Sequence, residues 1–301
     1  MEQFIAELRE TEAGEVCYNQ PLAGYTTWKI GGPADILIVP SSQDQLVNVV
    51  KLLRKHNMTW TNLGRGSNML VSDKGIRGVV IQPGKAFDYA KFNGTTVHAG
   101  AAHSFIKLSV LATKEGLSGL EFAGGIPGSV GGAVYMNAGA HGSDVSRIFK
   151  SAEVVLETGE LVELQAEDMV FTYRHSVLQE RPGIVVSATF ELTPGNREEI
   201  IARHASYKDR RRTTQPLQLP CAGSVFRNPP NDYAARLIQE AGLKGYRIGG
   251  AEVSTQHANF IVNVGQATAN DVLTLMKEIQ STVQERYGVE LVPEVLVVGE
   301  R

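Results

Sequence analysis

The stretch Gly124–Ala140, GGIPGSVGGAVYMNAGA, constrains this chain more than any other: it holds six glycines and three alanines in seventeen residues, and no charge. Residues without side-chain bulk let another group come close to the backbone, because no Cβ stands in the way. Successive glycine N–H groups also converge readily on an anion without help from lysine. A second segment of the same texture, LGRGSNML over 63–70, follows the strand-like run TWTN. Either segment alone reads equally well as a tight turn with close helix packing. Two of them in one chain point to a large dinucleotide whose diphosphate is gripped from two places. The pattern GxxxxGK[ST] is absent, which removes support for nucleotide hydrolysis of the P-loop type. GRGSNM supplies only the first two glycines of GxGxxG, and no acidic ribose partner follows at the required spacing, so a Rossmann reading is weak.

A length of 301 residues leaves room for roughly two or three domains. Hydrophobic content of 43% and charged content of 20% are ordinary for a globular protein. A net charge of −3 argues against nucleic acid or an anionic membrane as a partner met by bulk electrostatics. The first residues, MEQFIAELRE, read as a polar helix rather than an export signal, and no apolar run approaches the about 18 residues of a membrane span. The two cysteines, Cys17 and Cys221, form no CxxC, so neither a zinc site nor a disulfide framework is expected. The expected setting is a reducing cytoplasm, with Cys221 as a small buried hydrophobe. His98, His103, His141, His175, His204 and His257 lack metal-ligand spacing and read as structural or solvated; no metal is expected.

Short strands and helices mix in the first half. DILIVP (35–40) is a strand, and Ser42 with Gln45 forms a capping-box pattern before a helix that buries Leu46, Val49, Val50 and Leu53. TWTNLG, GVVIQP and TTVHAG read as strands; HSFIKLSVLATKEG reads as a helix stopped by Gly116. From Ile148 to Leu192 the pattern is a β-meander, followed by a helix over about 196–212. The last part of the chain forms a separate unit. Asn231 caps a helix over about 232–241, NFIVNV is a strand, and Thr268 with Asp271 opens a helix with Val272, Leu275, Met276, Ile279 and Val283 on one face. The strand VPEVLVVG closes the unit. Strands and helices do not alternate strictly, so the class is α+β.

Four polar places stand out. Arg174, in FTYRHS, suits a bidentate carboxylate clamp or a surface ion pair. Ser224, in GSVFRNPP, sits either in a turn or with its hydroxyl aimed into a cleft. Glu294 shares its strand face with Leu296 and Val298, where an unpartnered carboxylate is costly to bury, so a site role is expected. The run YKDRRRTTQP reads as a solvated helix end suited to the dipole, with phosphate binding as the alternative.

Together TTWKIGGPAD, GRGSNMLVSD, GIPGSVGGAVYMNAGA, YRHS, AGSVFRNP, HANFIVN and PEVLVVGE stand in an order that resembles the UDP-N-acetylenolpyruvoylglucosamine reductases, from about Tyr25 onward. The resemblance implies an FAD-binding module of the vanillyl-alcohol-oxidase (PCMH) type over 1–195, with subdomains of about 1–95 and 96–195. A C-terminal α+β substrate domain over 196–301 would follow. It implies non-covalent FAD, since GRGSN has no histidine, with NADPH as reductant. The FAD would be held by main-chain contacts from Gly64, Arg65, Gly66, Ser67 and Asn68, and from Gly124, Gly125, Ile126, Pro127, Gly128, Ser129, Gly131, Gly132 and Ala133, with Asn137, Ala138 and Gly139 nearby. The implied reaction passes hydride to the enolpyruvyl group of a UDP-sugar, giving UDP-N-acetylmuramate, a peptidoglycan precursor. Arg174 matches the arginine at the substrate carboxylate, Ser224 the proton donor and Glu294 the catalytic glutamate. Gln215, Arg227 and Asn228 would lie beside the substrate, with Arg227 where lysine is common. Gln256 stands where relatives have lysine, which leaves a phosphate contact there without support. The short interval from Arg174 to Ser224 resembles the shorter type of the family, without the tyrosine-bearing insertion. Two alternatives remain at this point: an FAD-dependent oxidase of alcohols or sugars on the same module, and a non-catalytic nucleotide-sugar binding protein.

Overall fold

The structure, a computed structural model, describes residues 2–300. Its chain divides into two units. Among the described residues, the first comprises 2–18, 36–65 and 78–209; the second comprises 19–35, 66–77 and 210–300. The chain passes between them repeatedly, so no single cut near residue 195 separates them.

Within the first unit, helices α1 (Glu2–Glu10) and α2 (Gln43–Lys55) bury Phe4, Leu8, Leu46, Val49, Val50 and Leu53 with Ile36, Ile38, Val79 and Ile81 from strands. Ser42 caps α2 by accepting from the Gln45 N–H at 3.2 Å. The Gln45 side chain reaches back to the N–H of Ser41, not of Ser42 (2.8 Å), so the reciprocal half of the expected capping box is displaced by one residue. Trp60–Asn62 pairs in parallel with Ile76–Ile81, Trp60 lying opposite Val79.

The remainder of this unit is a five-stranded antiparallel sheet. Its order is Leu161–Gln165, Phe149–Leu156, Gly183–Glu191, Thr96–Gly100, Ala90–Asn93. This is the expected meander joined to the TTVHAG strand. Helix α3 (Phe105–Lys114) and the short α4 (Val130–Tyr135) cover its apolar face, burying Phe105, Leu108, Val130, Val134 and Phe190 together. Val155, Ile184 and Val186 join the α1–α2 core instead. Helix α5 (Arg197–Thr214) follows, nearly all of its surface exposed.

The second unit is built around Trp28, whose indole N–H donates to the Ile261 carbonyl at 2.8 Å. Trp28 is fully buried with Ile30, Leu70, Val225, Phe226 and residues of helices α6 (Ala234–Glu240) and α7 (Ala269–Tyr287). The Thr268–Asp271 capping box opens α7, and Gly288, in the left-handed region, closes it. The side chain of Asp73 adds two more caps, accepting from the N–H groups of Ala269 and Asn270 at 2.8 and 3.0 Å. The five apolar residues expected on one face of α7 are all buried. Each large one is worth about 1.5–3 kcal/mol relative to exposure.

Two expectations fail here. Asn231 does not cap α6: its φ is +60°, in a left-handed turn, and Asn228 supplies the cap by accepting from the Ala234 N–H at 3.2 Å. The last strand is shorter than expected, Leu296–Val298, pairing in parallel with Met69–Val71. Glu294 lies before it in irregular backbone, so alternation along a strand does not set its direction.

Candidate active site

The two glycine segments meet. A Cβ at Gly64 would lie 2.7 Å from the Ser129 hydroxyl oxygen, closer than real side chains approach. Ser129 is the N-cap of α4 and accepts from the Gly132 N–H. On the other side of the GRGSN turn, Gly66 has φ +60° and its would-be Cβ falls 2.2 Å from the Tyr25 carbonyl oxygen, so no other residue fits without strain. Among the described residues, none accepts from the N–H groups of Gly64, Arg65 or Gly66. Three consecutive N–H groups without an acceptor, beside glycines packed too closely for a methyl group, fit the diphosphate of a dinucleotide.

The expectation for the longer segment needs correction at Gly131, Gly132 and Ala133, and at Ile126, whose N–H donates to the Ala123 carbonyl at 3.0 Å. The N–H groups of Val130 and Gly131 donate to the His103 and Ala101 carbonyls, both at 2.9 Å. Those of Gly132 and Ala133 donate to Ser129. These amides face the strand and helix behind them and are not free for an anion. What Gly131, Gly132 and Ala133 offer is close approach alone. Gly124 and Gly125 end a tight 3₁₀ turn (Glu121–Gly125), and Ile126, Pro127 and Gly128 link it to α4.

Asn137 is buried with both side-chain ends in use. It donates to the Thr172 carbonyl at 2.9 Å and accepts from the Ser146 N–H at 3.0 Å. It therefore ties the end of the glycine segment to the YRHS turn. Arg174 sits in that turn with φ +57°, a conformation a non-glycine residue holds only when its surroundings enforce it. Its carbonyl accepts from Gln179 at 3.0 Å, and its guanidinium donates to the Gly139 carbonyl at 2.9 Å and lies 4.8 Å from the Tyr173 ring centre. The region of Gly139 and Ala138 thus helps to hold Arg174.

The Ser224 and Glu294 segments come together in the second unit. The Val225 carbonyl, next to Ser224, accepts from the Glu294 N–H at 2.8 Å, and Phe226 bridges to Pro293. Asn68 donates to the Glu294 carbonyl at 3.1 Å, so this residue of GRGSN orders the glutamate's main chain. Asn259, in HANF, is a residue that local sequence pattern does not single out. It is buried (4% exposed), accepts from the Phe226 N–H at 3.0 Å and donates to the Phe226 carbonyl at 2.8 Å. Its own carbonyl accepts from Val225 at 2.9 Å. The repeated-pair geometry mimics a strand partner and fixes the backbone that carries Ser224. The only clue in sequence is an amide directly before the apolar run Phe260–Val262.

Arg227 has its Nε buried with no acceptor among the described residues, and so does Arg211 in the basic run. A buried guanidinium Nε without an acceptor suits a polyanionic ligand. Burial holds the Arg211 guanidinium below its ordinary value, with the nearby Cys221 acting the other way. Burial also pushes the Cys221 thiol up, against weaker effects of the Gly223 N–H and Arg211, so this thiol is no reactive thiolate. Asn228 spends its carbonyl oxygen on capping α6. Gln215 is half-buried just past the end of α5. Gln256 donates to the Thr213 carbonyl at 3.0 Å. A groove of about 440 Å³ on the five-stranded sheet, lined by His98, Ser151, Glu153, Glu163, Ser187 and Thr189, contains none of the expected site residues.

Residues 34–165 match the FAD binding domain family, and residues 215–298 match the C-terminal domain of UDP-N-acetylenolpyruvoylglucosamine reductase. The chain is 53% identical to the UDP-N-acetylenolpyruvoylglucosamine reductase of Anoxybacillus flavithermus, over all of both chains. It is 50% identical to that of Bacillus subtilis, over 99% of both. The solved structure of the Thermus caldophilus reductase (MurB) superposes with a TM-score of 0.80 at 39% identity, covering 94% of this chain and 98% of that one. With relatives of this identity along its whole length, the chain belongs to the UDP-N-acetylenolpyruvoylglucosamine reductase family.

Proposed function

We propose that the chain reduces the enolpyruvyl ether of UDP-N-acetylglucosamine to UDP-N-acetylmuramate, using NADPH and non-covalent FAD. The observation that carries this reading is the hydrogen bond that sets the Glu294 backbone beside Val225, directly after Ser224. An oxidase on the same module has no need of that pairing, nor of Arg174.

The chemistry that bound FAD supplies is hydride transfer, from NADPH to the terminal vinyl carbon. The residues 64–66 and the close-packed glycines around 124–132 would hold the cofactor. Hydride addition leaves negative charge on the carbon next to the substrate carboxylate. Arg174, held rigid by its turn and by the Gly139 carbonyl, stabilises that charge. The Ser224 hydroxyl gives its proton to the same carbon. A serine is a weak acid, and it serves only because the carbanion is strongly basic and the site is preorganised. Glu294 orients or polarises this step. Arg227 and Asn228, with Gln215, hold the UDP-sugar, Arg227 through the guanidinium whose Nε has no acceptor among the described residues.

The FAD-binding role falls mainly to residues within 1–195 and, Arg174 apart, the substrate role to residues within 196–301, although the two compact units interleave along the chain; we read the chain as the shorter type of the family, working in the cytoplasm. The interval between Arg174 and Ser224 holds a 3₁₀ turn, the strand Gly183–Glu191, the two-residue strand Thr193–Pro194 and α5. No helix among the described residues is long and apolar enough to cross a membrane.

The test is NADPH oxidation with the enolpyruvyl UDP-sugar present and absent, in the parent and in Ser224→Ala. The variant is expected to let NADPH bleach the flavin at the parental rate, while product formation drops about 10²–10⁴-fold. Near-normal turnover by the variant removes Ser224 as proton donor. NADPH-independent turnover with oxygen favours the oxidase, and a colourless protein favours a binding role.

A further inference from the structure

Helix α5 is mostly solvent-exposed, and of its residues only Ile200 is buried. The stripe it turns towards the rest of its unit is therefore not a hydrophobic seam. It consists of specific contacts with the glycine segment, at three places along that segment. Arg203 pairs with Glu121 at 3.2 Å, just before the glycines. Tyr207 stacks on His141 just after them, with ring centres 4.0 Å apart and planes 3° apart. Between these, the His204 imidazole occupies the space where a side chain at residue 124 would sit: a Cβ on Gly124 would lie 2.4 Å from its Nε2. Glu121 is itself nearly fully buried and also accepts from the Ser118 hydroxyl and the Gly119 N–H, so the first anchor is rigid.

We propose that α5 is a splint for the glycine segment, and that His204 is a positioning residue whose ring holds the Gly124 backbone at the height the flavin requires. This rests on the FAD reading above. It explains why a glycine is needed at 124, where the three atoms nearest a would-be Cβ all belong to the His204 ring, and why a polar ring lies there with its Nε2 buried and without a partner. The uncharged form of the ring is favoured in this place. Burial first, and then Lys208 one turn along α5, hold its pKa below the ordinary histidine value, and Glu121 opposes them. Arg203 is the remaining charged neighbour on α5, and it is paired; the segment from Phe122 to Ala140 carries no charge to compensate an imidazolium. The ring therefore acts through shape and contact, not through charge.

The experiment is a titration of deflavinated protein with FAD, read by quenching of flavin fluorescence, alongside thermal melting of each apo form. Gly124→Ala drives a methyl group into the His204 ring and is expected to weaken FAD binding about tenfold or more. His204→Ala removes the ring and weakens binding several-fold, while His204→Phe, which keeps the shape, stays within about twofold of the parent. The double variant Gly124→Ala with His204→Ala binds FAD tighter than the product of the two single effects predicts, because the methyl group then has room. Multiplicative single effects in the double variant overturn the proposal. So does loss of affinity in His204→Phe equal to that in His204→Ala. If Gly124→Ala does not fold, the His204→Ala and His204→Phe pair decides alone. Failure of the parental protein to bind FAD at all overturns the cofactor reading instead, which no behaviour of the variants imitates.

Discussion

Asn259→Ala is the most informative single perturbation of the backbone behind Ser224. In the parental chain the Asn259 amide satisfies both the N–H and the carbonyl of Phe226, which is itself buried. Truncation leaves two buried backbone groups without partners, each costing about 1–3 kcal/mol. With partial relaxation the loss for the pair is about 3 kcal/mol. For a unit of this size each kcal/mol moves the melting temperature by about 2–4 °C, so the expected drop is roughly 6–12 °C. The same change loosens the backbone near Ser224, at Phe226, while the Val225 N–H keeps its bond to the Asn259 main-chain carbonyl. At a temperature where the variant is folded, product formation should fall at least about tenfold while NADPH still reduces the flavin at the parental rate. Calorimetry and the two half-reactions measured separately give the answer. A melting temperature within about 2 °C of the parent, together with unchanged turnover, refutes the claim that this side chain fixes the Ser224 backbone.

Acid precipitation should release all of the flavin into the supernatant, because GRGSN offers no histidine for covalent attachment; yellow colour retained in the pellet contradicts this. His257 accepts from the Asn259 N–H through Nδ1, and its pKa is lowered by burial first and by Lys244 second. The unfolded chain takes up this proton more readily than the folded one, so the contribution is present above the ordinary histidine value of about 6.5 and lost as pH falls below it. The melting temperature should therefore decline from pH 7 to pH 5, and the decline should be shallower in His257→Gln; parallel curves count against it. Asp73→Ala removes two N-terminal caps from α7 and should cost about 1 kcal/mol in denaturant melts, with kcat unchanged.

What the sequence discloses and what it conceals separate by chain distance. The capping box of α7 lies within four residues and its buried face within two heptads, and both are as expected from local pattern. The cap of α6 is supplied from six residues away by Asn228, and local reasoning picked Asn231 because it stands nearer to the helix. Glu294 looked like a strand residue because its neighbours are apolar, whereas the partner that organises its backbone is Asn68. Asn259 and Phe226 are 33 positions apart, and no periodicity links them. The glycine segments announced proximity to a flat or anionic group through composition alone. Their amides could not be assigned in advance, because it takes the His103 and Ala101 carbonyls to show which N–H groups are already spent.

The burial of Trp28 also sets a timetable for synthesis. Its indole waits for a carbonyl 233 residues further along, and Asn68 for one 226 residues further along. At about 5–20 residues per second, those partners leave the ribosome roughly 10–50 seconds after the segments that need them. During that interval the Trp28, Ile30 and Leu70 side chains have none of the later residues that bury them in the finished core. The first unit draws no core residue from beyond Ile200 and can close earlier, with the Asn19–Asp35 and Gly66–Arg77 segments left without the later residues of their core on a nascent chain. Those two segments are where a chaperone has apolar surface to hold, and where a pause in elongation late in the message costs the most soluble protein.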